Sequence, residues 1–210
     1  MSVSTPLPPL APRDAFFHVI NDHRWLAVAA YAWKRFGPAG SASDLQAINE
    51  FIPGIGVLIQ DSLLLHARAL VDFYTSASND PTDIVLRTFN LAPLSQGTAD
   101  SLDRYKDPIS VHLMHLTAWR DLNYRATHRA SRRGVTRFRI DWNQENAVLV
   151  DAISNALSEV ASRTTEPWHQ PFGKLEEAVQ SALADPAEPG WPTELTEKPD
   201  VDAYLGGLGL

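Results

Sequence analysis

Cysteine is absent from all 210 residues. That excludes a disulfide framework, a thiolate zinc site and a cysteine nucleophile, and it accords with a reducing cytoplasm, the expected location. There is no basic, apolar leader and no apolar run long enough to cross a bilayer, so neither secretion nor membrane insertion is expected. A Gly-rich phosphate loop and a Gly-x-Ser-x-Gly elbow are missing too, leaving P-loop nucleotide hydrolysis and that type of serine hydrolase unsupported. No period of about 20 to 50 residues recurs, which argues against a solenoid. Net positive charge is also lacking: the formal charge of -7 argues against a whole-surface nucleic-acid binder, because phosphate contact needs a concentrated cationic face.

What is present is a 44% hydrophobic content, enough for one packed domain. Apolar and aromatic residues recur at helical spacing from Arg13 to Phe36, where Gly37-Pro38 ends the run. The aromatics at 16, 17, 25, 31 and 33 are expected in the core rather than around a ligand. Ser43 is a candidate N-cap for a short helix to about Ile52, and Pro53-Gly54 breaks it before a long helix to about Ser76. Ile84 to Phe89 suits either a helical turn or an extended segment. Helical signals resume from Thr98 to Tyr105, and Asp107-Pro108 reads as the start of a further helix through Tyr124. VTRFRIDW alternates as a short strand would, giving a β element near 135–141. Helices follow from Asn143, with Ala147, Leu149, Val150, Ile153, Leu157 and Val160 on the apolar side, and from Gly173 to Ala184. The expected fold is all-α, a bundle of five to seven helices over 13–184. It is flanked by a disordered arm at 1–12 and a Pro/Gly-rich tail at 185–210, either disordered or a short docking element for a partner.

Two helices carry polar stripes. At roughly 100° per residue, Asp61, Leu65, Arg68 and Asp72 share one face of the long helix, with Arg68 and Asp72 at i, i+4. His112, His115 and Trp119 share a face of the helix after Pro108, so the imidazoles can meet the carboxylates. His66 falls on a different side. Three readings stay open: a structural network that sets the bundle's register, a metal site, and an acid/base site acting on a phosphodiester with Arg68 or Arg120 stabilising the anion. His-x-x-His lacks the Glu of zincin motifs, and the carboxylates lack the Glu-x-x-His form of di-iron bundles, so no metal or other cofactor is assigned. Asp61, Arg68, Asp72, His112 and His115 are the candidate catalytic residues.

DSLLLHARALVDFY (Asp61 to Tyr74) and ISVHLMHLTAWR (Ile109 to Arg120) resemble a group of uncharacterised bacterial helical proteins. Its pattern is an acidic residue, L-x-H-A-R-x-L-x-D-F and a later I-x-x-x-L-x-H-L-T. The resemblance covers about the middle half of the chain and carries over His66, Arg68, Asp72, His115 and Thr117. The arrangement is also loosely similar to the HEPN superfamily of helical bundles, whose ribonuclease members use an Arg followed after four to six residues by a His. Arg13-Asp14-Ala15-Phe16-Phe17-His18 matches that spacing, on the first helix rather than late in the bundle. This resemblance implies a ribonuclease or toxin role.

The segment from Arg120 to Arg139 holds seven of the fourteen arginines. Arg120, Arg125, Arg129, Arg132 and Arg133 are candidates for nucleic-acid phosphate contact, with Trp119 and Tyr124 able to stack on bases. A solvated basic loop or a homodimer contact would explain the same cluster. The expected function is binding of a partner or nucleic acid. The alternative is a non-enzymatic structural or interaction protein whose tail docks on a partner or shell.

Overall fold

Ala15, Phe16, Val19, Ile20, His23, Leu26 and Ala27 recur every three or four residues, so their segment winds into helix α1 (Pro12–Phe36) and buries that face. This computed structural model describes residues 10–36, 54–78, 80, 82–114, 141–184 and 191–210, and side chains within those ranges except at 111, 112, 114 and 143. Helix α2 (Ile55–Thr75) starts at Gly54, whose φ of 83° is a left-handed conformation that glycine adopts without a Cβ clash. Helices α3 (Gln96–Met114), α4 (Trp142–Arg163), α5 (His169–Ala184) and α6 (Lys198–Gly207) follow, with 3-10 turns at Leu86–Phe89 and Thr193–Leu195. The described residues thus form six helices and no strand, an all-α bundle. The β element expected near 135–141 and the short helix expected to end at Ile52 fall outside them, apart from Asp141.

Helices α1 to α5 pack in chain order and close a ring, with α5 back against α1. Helices consecutive in the chain meet because each has a dry face to hide. At one end of the ring an aromatic cluster ties the elements together. Phe16 lies 5.1 Å from Phe172 and 5.3 Å from Trp168 between ring centroids, and Phe89 lies 4.9 Å from Trp168 and 6.1 Å from Phe73. The ambiguous segment before Phe89 is therefore a helical turn that plugs this cluster.

Three expectations change. Asp107-Pro108 does not start a helix, because α3 runs straight through it. Leu102, Tyr105 and Ile109 are fully buried along one face, so tertiary packing outweighs the lost hydrogen bond at proline, and the Ser110 hydroxyl donates to the Lys106 carbonyl at 2.9 Å in the same turn. Nor do residues 191–210 stand apart as a tail. Leu195, Val201 and Leu205 are completely buried, the Arg24 guanidinium donates to the Thr196 carbonyl at 3.0 Å, Lys198 pairs with Asp14 at 2.8 Å, and Arg13 donates to the Leu210 carbonyl. Their spacing over a short, Gly-punctuated stretch resembles linker composition, and burial against α1 is what makes it helical. Finally, Trp25 is 47% exposed rather than in the core, the inward positions being those around Phe16, Ile20 and His23.

Helix α3 is capped from another helix. The Glu159 carboxylate on α4 accepts the Ser95 backbone N–H at 2.6 Å, the Ser95 hydroxyl at 2.8 Å and the Thr98 hydroxyl at 2.6 Å, and also pairs with Arg163. Burial alone would raise its pKa, but donors from Thr98, Ser95 and Arg163 outweigh it and hold the carboxyl down to about 2. An anion at a helix N-terminus also meets the positive end of the helix dipole. Glu159→Gln is expected to cost about 1–2 kcal/mol at neutral pH. The cost should shrink as pH falls from 4.5 toward 2, where the native carboxyl itself protonates. Denaturant melts of both proteins across that range check this; a constant difference would refute it.

Candidate functional site

On α2 the expected stripe forms in part. The Arg68 guanidinium donates to Asp72 Oδ1 at 2.6 Å, and Lys106 Nζ of α3 stands 3.5 Å from the same oxygen. Asp72 is 41% exposed and Leu65 57% exposed, so the stripe runs along the outer edge of the α2–α3 contact and is not a dry register-setting network. Asp61 is half-buried at the upper end of α2. His66 turns away from the stripe, as its position around the helix predicts, and its Nδ1 shares a hydrogen bond of 2.8 Å with Asp22 of α1. His112 belongs to α3, but its side chain, His115 and all of Arg120, Arg125, Arg129, Arg132 and Arg133 lie outside the described residues.

Asp72 also borders a cleft of about 450 Å³ between α1, α2 and the segment before Leu86, with His18, Asp22, Ser76, Thr82 and Asp83 on its walls. Two of its carboxylates are paired, Asp22 with His66 and Asp72 with Arg68 and Lys106, and Asp83 is the third. Among the described residues no three His, Asp or Glu side chains converge as a metal ion would need. Arg13 and His18, the pair at HEPN-like spacing, do not converge either. Five residues of helix turn them roughly 140° apart, so that Arg13 holds the Leu210 carbonyl while His18 faces this cleft.

A second cavity, of about 350 Å³, opens between α1, α2, α4 and α5. Tyr31, Trp33 and Lys34 form its α1 wall, Leu63 comes from α2, Asn146, Val150 and Asp151 from α4, and Leu183 from α5. The groove is mainly apolar, with Lys34, Asp151 and the Tyr31 hydroxyl as polar exceptions. Behind its walls Asn146 is 1% exposed, and among the described residues neither its side-chain oxygen nor its nitrogen has a hydrogen-bond partner. A buried amide left so costs about 1–3 kcal/mol per unmet group, which is why native proteins keep few of them. Sequence periodicity placed Ala147 on the dry face, but Ala147 is exposed and Asn146 takes the inward position. The signal was available: Asn146 follows Trp142 by four residues and precedes Leu149 and Val150 by three and four, which is the buried spacing of α4. Tyr31 lines this groove instead of filling the core as expected, whereas Trp33 packs against the core, half-buried, and lines the groove as well.

No protein-family model, curated protein or solved structure matches the chain.

What the chain does must then be argued from its own unmet chemistry, and the two cavities differ in that respect. The cleft beside Asp72 is walled by charged and polar side chains, whereas the groove is walled mainly by apolar ones, with the buried Asn146 amide behind them. One further buried polar group lies close by. His23 on α1 is 1% exposed, its Nε2 sits 2.9 Å from the Tyr74 hydroxyl, and its Nδ1 has no partner among the described residues. Burial pushes the His23 pKa down to about 3, so the ring is neutral at physiological pH, and burial raises that of Tyr74, with Glu176 adding to the effect.

Proposed function

We propose that this chain is a binding protein whose ligand enters the groove between α1, α2, α4 and α5. The observation that carries the reading is the groove itself, a mainly apolar cavity of about 350 Å³ with Lys34, Asp151 and the Tyr31 hydroxyl among its walls. Such a cavity, apolar with a few polar groups, has the make-up and size of small-molecule sites.

A buried amide without a partner among the described residues destabilises the protein, so removing it has a definite sign. Asn146→Leu, which fills similar space without polar atoms, is expected to stabilise the empty chain by about 1–2 kcal/mol and to raise its melting temperature by about 2–6 °C. A lower melting temperature in the variant would mean that the amide serves the fold. A small apolar probe such as naphthalene is expected to raise the melting temperature of the parent by seating in the groove, and no shift would end the reading.

Nucleic-acid contact by Arg129, Arg132 and Arg133 is a separate proposal resting on the arginine cluster. Replacing all three with Ala is expected to weaken binding to single-stranded RNA and to flatten its salt dependence. Binding with no salt dependence in the parent would eliminate it.

A further inference from the structure

The groove carries two opposite charges that do not meet. We infer that its ligand is an amino acid in zwitterionic form with a large apolar side chain, its carboxylate facing Lys34, its ammonium facing Asp151 and its side chain laid along the apolar walls. This rests on the reading of the groove as a ligand site.

Lys34 on α1 and Asp151 on α4 both line the groove. No ion pair among the described residues uses either of them, so they are not joined to each other across it. Both side chains are exposed, which puts them at the mouth, where a ligand reaches them without opening the fold. A lone cation on an apolar pocket would select a carboxylate, and a lone anion an amine. With one of each, a ligand of single charge is attracted by one wall and repelled by the other, whereas a zwitterion suits both. The flexible four-carbon stem of Lys34 lets its ammonium adjust to a carboxylate close beside the amine that Asp151 accepts. The rest of the lining asks for an apolar body. Tyr31 and Trp33 present ring surface, and Ala147 and Leu183 present aliphatic surface, none of it sealed from solvent. The Tyr31 hydroxyl accepts a hydrogen bond from Arg35 at 2.7 Å, and Arg35 itself is not part of the groove lining. A cavity of about 350 Å³ has room for an aromatic side chain.

Phenylalanine and four other compounds test each charge by itself. 2-Phenylethylamine keeps only the ammonium, 3-phenylpropanoate only the carboxylate and N-acetylphenylalaninamide neither, while naphthalene probes the apolar groove. Calorimetry is expected to show phenylalanine binding at least about fivefold more tightly than each of the other three phenyl compounds. Lys34→Met should bring phenylalanine down to the level of 2-phenylethylamine, and Asp151→Asn down to that of 3-phenylpropanoate, with naphthalene binding unchanged in both. The two positions are exposed, and thermal melts establish that both variants are folded. Phenylalanine binding no tighter than its one-charge analogues, or a preference that survives both substitutions, overturns the inference and leaves the groove as an apolar site. If neither phenylalanine nor naphthalene binds, the groove reading itself fails, and the inference with it.

Discussion

Leu205→Ala is expected to destabilise the protein by about 3 kcal/mol, within the usual cost of about 2–5 kcal/mol for removing a fully buried leucine side chain. Leu205 has no exposed surface, and Leu195 and Val201 beside it have none either. In a domain of this size that loss lowers the melting temperature by about 6–12 °C. Ending the chain at Ala184 removes all three side chains together with the Lys198–Asp14 and Lys174–Glu194 pairs. The truncated chain also sheds the entropy cost of ordering its last residues, so the point substitution is the cleaner measurement. Truncation should still lose more stability than Leu205→Ala, because it uncovers the dry faces of α1 and α5 at once. Calorimetry on the three proteins decides the matter. If Leu205→Ala melts within a degree of the parent, the C-terminal helix is not seated in the core. The same burial bears on docking: Leu195, Val201 and Leu205 are engaged within the chain, so a partner that took them would first have to pull α6 off α1.

Acid should weaken the fold well above the range where carboxylates titrate, and His23 should be the reason. Its ordinary pKa of 6.5 is pushed down to about 3 in the folded chain because the ring is buried. Above 6.5 both folded and unfolded states hold it neutral, and it contributes no pH dependence. Below 6.5 the unfolded chain gains a proton that the folded chain refuses, so stability falls by about 1.4 kcal/mol per pH unit until the folded pKa is reached. The loss reaches about 4 kcal/mol by pH 3.5, a large part of the total for a marginally stable domain. Glu159 joins only below 4.5, so the interval from 6.5 to 5 separates the two. His23→Gln keeps a neutral hydrogen-bonding partner for Tyr74 and removes the titration. Urea unfolding at several pH values should show a flatter profile for this variant over that interval. An unchanged slope would mean that the ring is protonated without penalty.

How much of this was legible beforehand differs from element to element. The 3.6-residue period brought out α1, α2, α4 and α5, and the i, i+4 spacing of Arg68 and Asp72 was enough to pair them. The Gly54 break before α2 was visible as well. Pro108 misled because proline's local cost is the same wherever it stands, and only the burial of Leu102, Tyr105 and Ile109 on a neighbouring surface decides whether a helix survives it. Asn146 was passed over because an amide carries no hydrophobic signal, although it sits in register with Trp142 and Leu149.

The sequence by itself determined the helical class, the positions of the long helices and the turn of His66 away from the Asp61/Arg68/Asp72 face, since all of these follow from spacing along one helix. Which groups meet across helices was left to the tertiary structure. Packing seated the last twenty residues in the core, paired His66 with Asp22 and His23 with Tyr74, and set Glu159 on the first turn of α3. It also buried the Asn146 amide with no partner among the described residues. Each depends on contacts between residues far apart in the chain, whose energy exists only once the ring of helices has closed.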